Sequence, residues 1–437
     1  MTSNKVPIFG DDGFRSKFGE GLMSIENITK FCIAFTKFLT NKKIKNNTVI
    51  IARDTRSSGI IIEKLIVSYF NSAGINTESA GVITTPGLSK ILEYGEYSYG
   101  IMITASHNKY IDNGIKLFGS TGYKMTKKDE QIIEKHMINK KLPAYISSDI
   151  GKHSILNNCS ELHLKHTKYI INTSTINNKI LIDCSNGAIG EVIDLLSKKF
   201  KNLRIINNNP NGKNINLNCG ALEPEKLVKN LKSKKIDYGV AFDGDGDRAI
   251  FACKKYGIIE TDKLFYLFAT NIKKNSKRHV ASEIINYGII EKFRKSRLKL
   301  YVSKVGDRNV VDKVQSTNSE IGVEPSGHYH FSSDTNSMDG LIAFFHFLNL
   351  INSKKGSLNS DLNKIKLFKR IIKNINIENI ALDKNALKKI NSLETTKYER
   401  IIARLSIWEP KLRIYYDYKD KNKFNKYYKY IEKIIFK

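Results

Sequence analysis

Tyr238-Gly239-Val240-Ala241-Phe242-Asp243-Gly244-Asp245-Gly246-Asp247-Arg248 is a β-prone run that opens directly into three carboxylates spaced by glycines and closed by an arginine. Acidic residues alternating with glycine let the backbone turn tightly and point several oxygens at one centre, which suits a hard divalent cation such as Mg²⁺. A calcium loop of the EF-hand kind fails on spacing. Its sixth position calls for glycine and is Arg248, and its twelfth calls for glutamate and is Lys254. From this stretch alone two readings stay open: a metal loop at a strand end, or a solvated acidic turn between two strands.

Working outward, the same strand-then-loop pattern recurs. Residues 48–52 form an apolar strand, followed by a helix that Ser57 or Ser58 caps and Gly74 stops. A strand over residues 6–9 precedes them. Strands at 100–104 and 115–118 and a helix at 126–138 complete a first α/β cycle. Residues 140–160 are weakly patterned and read as a linker. A second cycle has strands at 179–183 and 203–206, a helix at 189–200, and a helix from Glu223 leading into the opening strand. Strands at 279–282, 299–302 and 320–323 and helical spacing over 338–349 mark a third cycle. A short last unit has strands at 371–377, 400–403 and 411–417, with helices near 384–393 and at the terminus. The sequence thus reads as α/β, with domains at 1–145, 155–253, 254–366 and 370–437.

That count agrees with length, since 437 residues at roughly 100–200 per domain make three or four units. A hydrophobic share of 41% and a charged share of 26% are those of a globular chain. The longest apolar stretch, residues 341–351, contains His346 and Asn349 and is too short to span a bilayer, so no membrane role is expected. The five cysteines form no CxxC pair and are odd in number, as expected of core thiols in a reducing cytoplasm. The net charge of +29 raises the question of nucleic acid. The lysines are scattered rather than gathered, and the chain is rich in Lys, Asn and Ile, which A/T-rich codons encode. Nucleic acid is therefore not expected as a partner, although a positive field favours phosphorylated ligands. The basic and aromatic residues of 419–437 read as an amphipathic helix covering the last sheet rather than as an RNA contact.

Several polar loops sit where a strand ends, the place at which open α/β sheets bind ligands. Thr104-Ala105-Ser106-His107-Asn108 offers a hydroxyl and an imidazole: Ser106 is a candidate nucleophile or phosphoryl carrier, or else part of a turn whose side chains satisfy local backbone. Lys116 is a candidate acid/base or phosphate clamp, or an edge-strand lysine. Glu324-Pro325-Ser326-Gly327-His328 suits the vicinal hydroxyls of a sugar, or is a plain turn. Arg404, Ser406, Lys411 and Arg413 suit a phosphate oxyanion, or form an ordinary basic loop.

Taken together and in order, these motifs resemble those of the α-D-phosphohexomutases. The resemblance rests on Ile8-Phe9-Gly10-Asp11-Asp12-Gly13-Phe14-Arg15, Thr104 to Asn108, Asp243 to Arg248, Glu324 to His328 and Arg404-x-Ser406-x-x-Glu409-Pro410. Tyr110 to Lys116, Pro210-Asn211-Gly212 through Asn214-Ile215-Asn216 to Cys219-Gly220-Ala221, and Val305-Gly306-Asp307-Arg308 support it. It covers essentially the whole chain, and within the family it is strongest to the bacterial branch acting on glucosamine phosphates. It implies three similar α/β domains and a smaller C-terminal α+β domain around a central cleft. It implies an isomerase interconverting glucosamine 6-phosphate and glucosamine 1-phosphate through a phosphoserine and a bisphosphorylated sugar, on the route to UDP-N-acetylglucosamine and cell wall. The alternatives are phosphomannomutase or phosphoglucomutase activity, or a weakened relative acting as a binding protein. Residue by residue, it implies Ser106 as the phosphorylated serine with His107 beside it, and Asp243, Asp245 and Asp247 with Ser106 as Mg²⁺ ligands. Arg15, Lys116 and Arg248 would stabilise the transferring group. Glu324, Ser326 and His328 would hold sugar hydroxyls, and Arg404, Ser406 and Arg413 the other phosphate. A bisphosphorylated hexose is the expected primer, a phosphosugar the expected partner, and a monomer or homodimer the expected assembly.

The last loop departs from the family's Arg-Pro-Ser-Gly-Thr-Glu-Pro pattern: Leu405, Ile407 and Trp408 stand for proline, glycine and threonine. A β-branched residue resists the positive φ that glycine allows, so a weaker phosphate grip is expected, or a rearranged loop helped by Lys411. Asp11 and Lys109 also replace the usual threonine and proline.

Overall fold

Where the apolar strands end and which helices cover them decides how the polar loops are presented. The computed structural model describes residues 7–42, 47–139, 146–167, 178–271, 277–354, 357–378, 384–393, 398–406, 411–419 and 422–436. They form two compact units, one of Met1–Thr261 with Ser326–Leu358, the other of Asp262–Pro325 with Asn359–Lys437.

The first unit holds two sheets. One has six strands in the order Phe14–Lys17, Asp112–Gly119, Tyr99–Ile103, Thr48–Arg53, Asn76–Val82, His153–Ile155. The last four of these run parallel and the first two antiparallel, so Phe14–Lys17 lies beside the strand that carries Lys116. The other has five strands in the order Gly257–Ile259, Ala249–Cys253, Tyr238–Phe242, Ile180–Asp183, Leu203–Ile206. Tyr238–Phe242 lies between a parallel neighbour and an antiparallel one, buried at every residue, as its unbroken apolar run requires.

Helix Gly340–Lys354 accounts for the long apolar stretch. It is a core helix buried on nearly all sides, with Phe344 against Phe242 and Phe347 against Tyr238 and Phe251, and each such ring contributes about 1.5–3 kcal/mol by burial. Its first N–H bonds the Gly246 carbonyl, so the helix also braces the acidic loop. Of the two polar residues that interrupt its apolar stretch, Asn349 is exposed, while buried His346 stacks on Phe331 and meets Asp334 at 3.1 Å. Among the described residues no helix is long and apolar enough to cross a membrane.

In the second unit, Arg278–Ser282 pairs in parallel with Lys299–Ser303 and Ile321–Glu324. The C-terminal part is a three-stranded antiparallel sheet with Lys411–Tyr418 in the middle. The terminal helix Phe424–Ile435 places Phe424, Ile431 and Ile435 in the core over that sheet, which is the covering role expected of it.

Three expectations fail locally. Residues 7–9 form no strand; the strand is Phe14–Lys17. The stretch expected as a linker contains strand His153–Ile155 and the start of helix Cys159–Lys165. Strand Asn76–Val82 and helix Thr85–Tyr94, not expected from the sequence, complete the first sheet and one of its layers. That helix is capped by the Thr84 hydroxyl accepting from Gly87 N–H.

Candidate active site

In the first unit two strand-end loops, from different sheets, meet. Strand Tyr99–Ile103 leads into the loop of Ser106, and Tyr238–Phe242 into the acidic loop. The Ser106 hydroxyl donates to Asp243 Oδ2 at 2.8 Å and lies 3.3 Å from His107 Nδ1. Ser106 has φ +52°, a left-handed conformation that an L-residue adopts at a cost. The approach is close enough to require glycine: a Cβ on Gly244 would stand 2.7 Å from the Ser106 carbonyl oxygen. Gly246, at φ +74°, supplies the turn that brings Asp245 and Asp247 back toward Asp243.

Asp243, Asp245 and Asp247 are all buried and offer oxygens within 4.8 Å of one another. Burial, reinforced by repulsion from Asp247 and Asp245, raises Asp243 well above the carboxylate range; burial and Asp247 also raise Asp245, against the pull of Lys116. Asp247 is also penalised by burial, but Lys116, His328 and Arg248 outweigh this and hold it well below. Asp245 Oδ2 accepts from Thr85 Oγ1, while its Oδ1 is buried without a hydrogen-bond partner. Three clustered carboxylates with one orphaned oxygen form a donor set for a hard cation, and the bland reading as a solvated acidic turn falls because the cluster is not solvated.

Lys116 Nζ is held by three carboxylates, 2.7 Å from Asp12, 2.8 Å from Asp245 and 3.0 Å from Asp247. Asp12, partly exposed, also pairs with Lys124, and the two lysines outweigh its desolvation and keep it ionised. Arg15, opposite Gly114 in the edge pairing, is desolvated and feels Arg248. His107, desolvated and beside Arg248 and Arg15, is pushed down to about 2 and so is neutral near pH 7. Cations and carboxylates are interleaved near the Ser106 hydroxyl: Lys116 sits among the carboxylates, and Arg248 Nε lies 3.8 Å from the Asp243 oxygen that Ser106 bonds. His328 Nε2 lies 3.1 Å from Arg248 Nε and 3.2 Å from Asp247 Oδ1, with Nδ1 3.2 Å from Ser326 Oγ. Accepting from Arg248 leaves the ring proton on Nδ1 for Ser326; donating to Asp247 is the other tautomer.

The remaining expected residues lie in the second unit. Glu324 ends its strand, and its Oε1 accepts from Gly306 N–H at 2.8 Å. Arg404 and Arg413 face each other across adjacent strands, and Arg404 Nε is buried without a hydrogen-bond partner. Opposed like charges destabilise a sheet unless an anion lies between them. Ser406 N–H bonds the Lys411 carbonyl. Ile407 and Trp408, on which the expectation of a weakened phosphate grip rests, lie outside the described residues.

Three phosphoglucomutase/phosphomannomutase α/β/α family profiles match the chain: domain I over residues 6–143, domain II over 161–257 and domain III over 260–368. The chain is a member of the α-D-phosphohexomutase family. It is 33% identical over 424 residues to the phosphoglucosamine mutase of Thermodesulfovibrio yellowstonii, covering 93% of this chain and 94% of the relative. It is 32% identical to that of Campylobacter lari, covering 99% of each. Among solved structures, a Burkholderia thailandensis phosphoglucomutase/phosphomannomutase family protein superposes at TM-score 0.80 with 18% identity, over 98% of this chain and 96% of that one. Aspergillus fumigatus N-acetylphosphoglucosamine mutase, solved with GlcNAc-6P and magnesium, has TM-score 0.62 at 14% identity, over 99% and 96%. These two show the shared mutase fold. Phosphohexomutases are metal-dependent isomerases, and the buried acidic cluster fits that dependence.

Asp54, Arg56, Thr85 and Asn216, which hydrogen-bond to the Ser106 loop or to Asp245, carry little signal in the sequence. The local signal is a run of charge, Arg53-Asp54-Thr55-Arg56, that begins where the apolar residues 49–52 end. Asp12 was visible as part of a motif but not as the partner of Lys116.

Proposed function

We propose that this mutase interconverts glucosamine 6-phosphate and glucosamine 1-phosphate in the cytoplasm, with Ser106 as phosphoryl carrier and Mg²⁺ as its metal. The observation that carries the reading is the Ser106 hydroxyl 2.8 Å from Asp243, at the rim of a carboxylate cluster that has an orphaned oxygen. The similarity of the chain over nearly its whole length to phosphoglucosamine mutases supports the choice of sugar.

Asp243, Asp245 and Asp247 with Ser106 would hold the metal, which when bound neutralises phosphate charge and polarises the phosphoryl oxygens. The chain's own residues do the rest. Ser106 gives its phosphoryl group to the free hydroxyl of the sugar monophosphate, whose proton is released, and the serine oxygen is left as the hydroxyl. The resulting bisphosphate then returns its other phosphoryl group to Ser106, with the opposite proton movement. Arg15, Lys116 and Arg248 balance the charge that develops on the transferring group, which is most of what phosphoryl transfer asks of a protein. Neutral His107 hydrogen-bonds the serine oxygen without adding charge. Glu324, Ser326 and His328 bind sugar hydroxyls, and Arg404, Ser406 and Arg413 hold the phosphate that is not transferred. A bisphosphorylated hexose primes protein that has lost its phosphate.

The test is turnover of glucosamine 6-phosphate, mannose 6-phosphate and glucose 6-phosphate with Mg²⁺ and the matching bisphosphate. The glucosamine substrate is expected to have the highest kcat/KM. Preference for mannose or glucose overturns the choice of sugar, and no turnover of any of them overturns the activity.

A further inference from the structure

We propose that Arg56 and Asn216 form a two-sided clamp that positions Ser106 for phosphoryl transfer; the proposal rests on Ser106 being the carrier. Arg56, immediately before helix Ser57–Ser72, has no exposed side-chain surface. A guanidinium fully removed from water must have its N–H groups satisfied, and here both Nη groups are spent on one loop. Nη1 donates to the Lys109 carbonyl at 2.8 Å, and Nη2 to those of Ser106 and Asn108 at 2.9 and 3.0 Å.

Asn216 addresses the same two carbonyls. Its Nδ2 donates to Ser106 O at 2.9 Å and to Asn108 O at 3.1 Å. The two donors come from different parts of the first unit. Arg56 follows a strand of the six-stranded sheet, whereas Asn216 is tied by its N–H to the Ser185 carbonyl, beyond the end of a strand in the five-stranded sheet. The five-stranded sheet also carries the acidic loop, so Asn216 fixes the distance between the serine and the carboxylates.

A buried carboxylate completes the arrangement. Asp54 accepts from Arg56 Nε at 3.0 Å and from Thr104 Oγ1 at 2.6 Å, and Thr104 Oγ1 in turn accepts from Ser106 N–H at 2.9 Å. Ser106 is thereby held at its N–H and at its carbonyl. A residue at φ +52° relaxes unless its surroundings fix it, and these bonds fix it with the hydroxyl toward Asp243. Arg56 and Asn216 touch backbone rather than any reacting atom. They are positioning residues, and their loss misplaces the carrier without removing a substrate contact.

The experiment compares wild type, Asn216→Ala and Arg56→Lys, the latter keeping the charge but losing the planar fork. The rate at which Ser106 gains phosphate from glucosamine 1,6-bisphosphate is followed by rapid quench and peptide mass, beside steady-state kcat and KM and the circular dichroism melt. Both variants are expected to lose about 100-fold in phosphorylation rate and kcat, with KM for glucosamine 6-phosphate little changed. Asn216 is half-buried in a loop, so Asn216→Ala keeps the test open if Arg56→Lys misfolds. A wild type that gains no phosphate on Ser106 overturns the carrier reading and the clamp with it. A wild type that does, beside an Asn216→Ala phosphorylated at the same rate, overturns the clamp alone. So does a variant whose kcat, KM and melt all fall together.

Discussion

Asp245 concentrates the chemistry of the acidic loop in one side chain, with one oxygen held by Thr85 and Lys116 and the other without a hydrogen-bond partner. Asp245→Asn keeps the shape and removes a charge from the cluster. Its expected effect is a loss of about 10²–10³ in kcat and a rise in the Mg²⁺ concentration for half-maximal rate, read from metal titrations of turnover and of bound Mn²⁺ by electron spin resonance. Gly244→Ala tests the approach of the two loops. The added methyl meets the Ser106 carbonyl at 2.7 Å and Ile215 Cδ1 at the same distance, so neither loop can keep its place. A kcat reduced about 100-fold in protein that melts near the wild-type temperature is expected, and unaltered kcat contradicts the geometry. At this scale the sequence was most readable where chemistry is local. Asp243, Asp245 and Asp247 declare themselves by alternation with glycine, and Ser106 by its strand-end motif. Arg56 and Asn216 do not, because what defines them is contact with Ser106 across 50 and 110 residues of chain.

The strands explain why most elements were visible and a few were not. Residues 49–52, within the strand expected at 48–52, and 238–242 are apolar runs with no competing reading, whereas Asn76–Val82 reads Asn-Thr-Glu-Ser-Ala-Gly-Val and carries no apolar run. It is a strand because it pairs in parallel with its neighbours on both sides, a tertiary cause. Residues 7–9 fail as a strand because the turn at Gly10 to Gly13 places the edge pairing later, at Phe14. The C-terminal sheet turns on buried Asp417, bound by Arg370 at 2.6 and 2.8 Å and by Arg400 at 3.1 Å, and accepting from Tyr287 N–H at 2.9 Å. Removing the carboxylate strands two largely buried guanidinium groups. Asp417→Ala is expected to destabilise the second unit by about 3 kcal/mol, measured as an earlier transition in urea followed by hydrogen exchange of residues 411–419. An unmoved transition shows that the ion pairs contribute nothing.

For the molecule as a whole, charge and burial set the response to conditions. His279 is fully buried between Phe265 and Phe293, neither ring nitrogen has a hydrogen-bond partner, and desolvation lowers it to about 4. The unfolded chain binds a proton there below about pH 6.5 and the folded chain does not until about pH 4, so stability falls as pH drops through that window. His279→Phe is expected to shrink the loss of melting temperature between pH 7 and pH 5, and an unchanged loss contradicts the assignment. The net charge of +29 attracts an anionic sugar phosphate at long range, so kcat/KM is expected to fall about severalfold as salt rises from low to physiological strength while kcat holds. Domain number and family were legible at this scale because motif order survives the scatter of Lys, Asn and Ile. Whether Ser106 carries the phosphate is read from intact mass followed by peptide mapping. Protein treated with glucosamine 1,6-bisphosphate and Mg²⁺ is predicted to gain a single phosphate on the peptide containing Ser106, absent from Ser106→Ala. A phosphate on another residue, or none under conditions that support turnover, excludes Ser106 as the carrier.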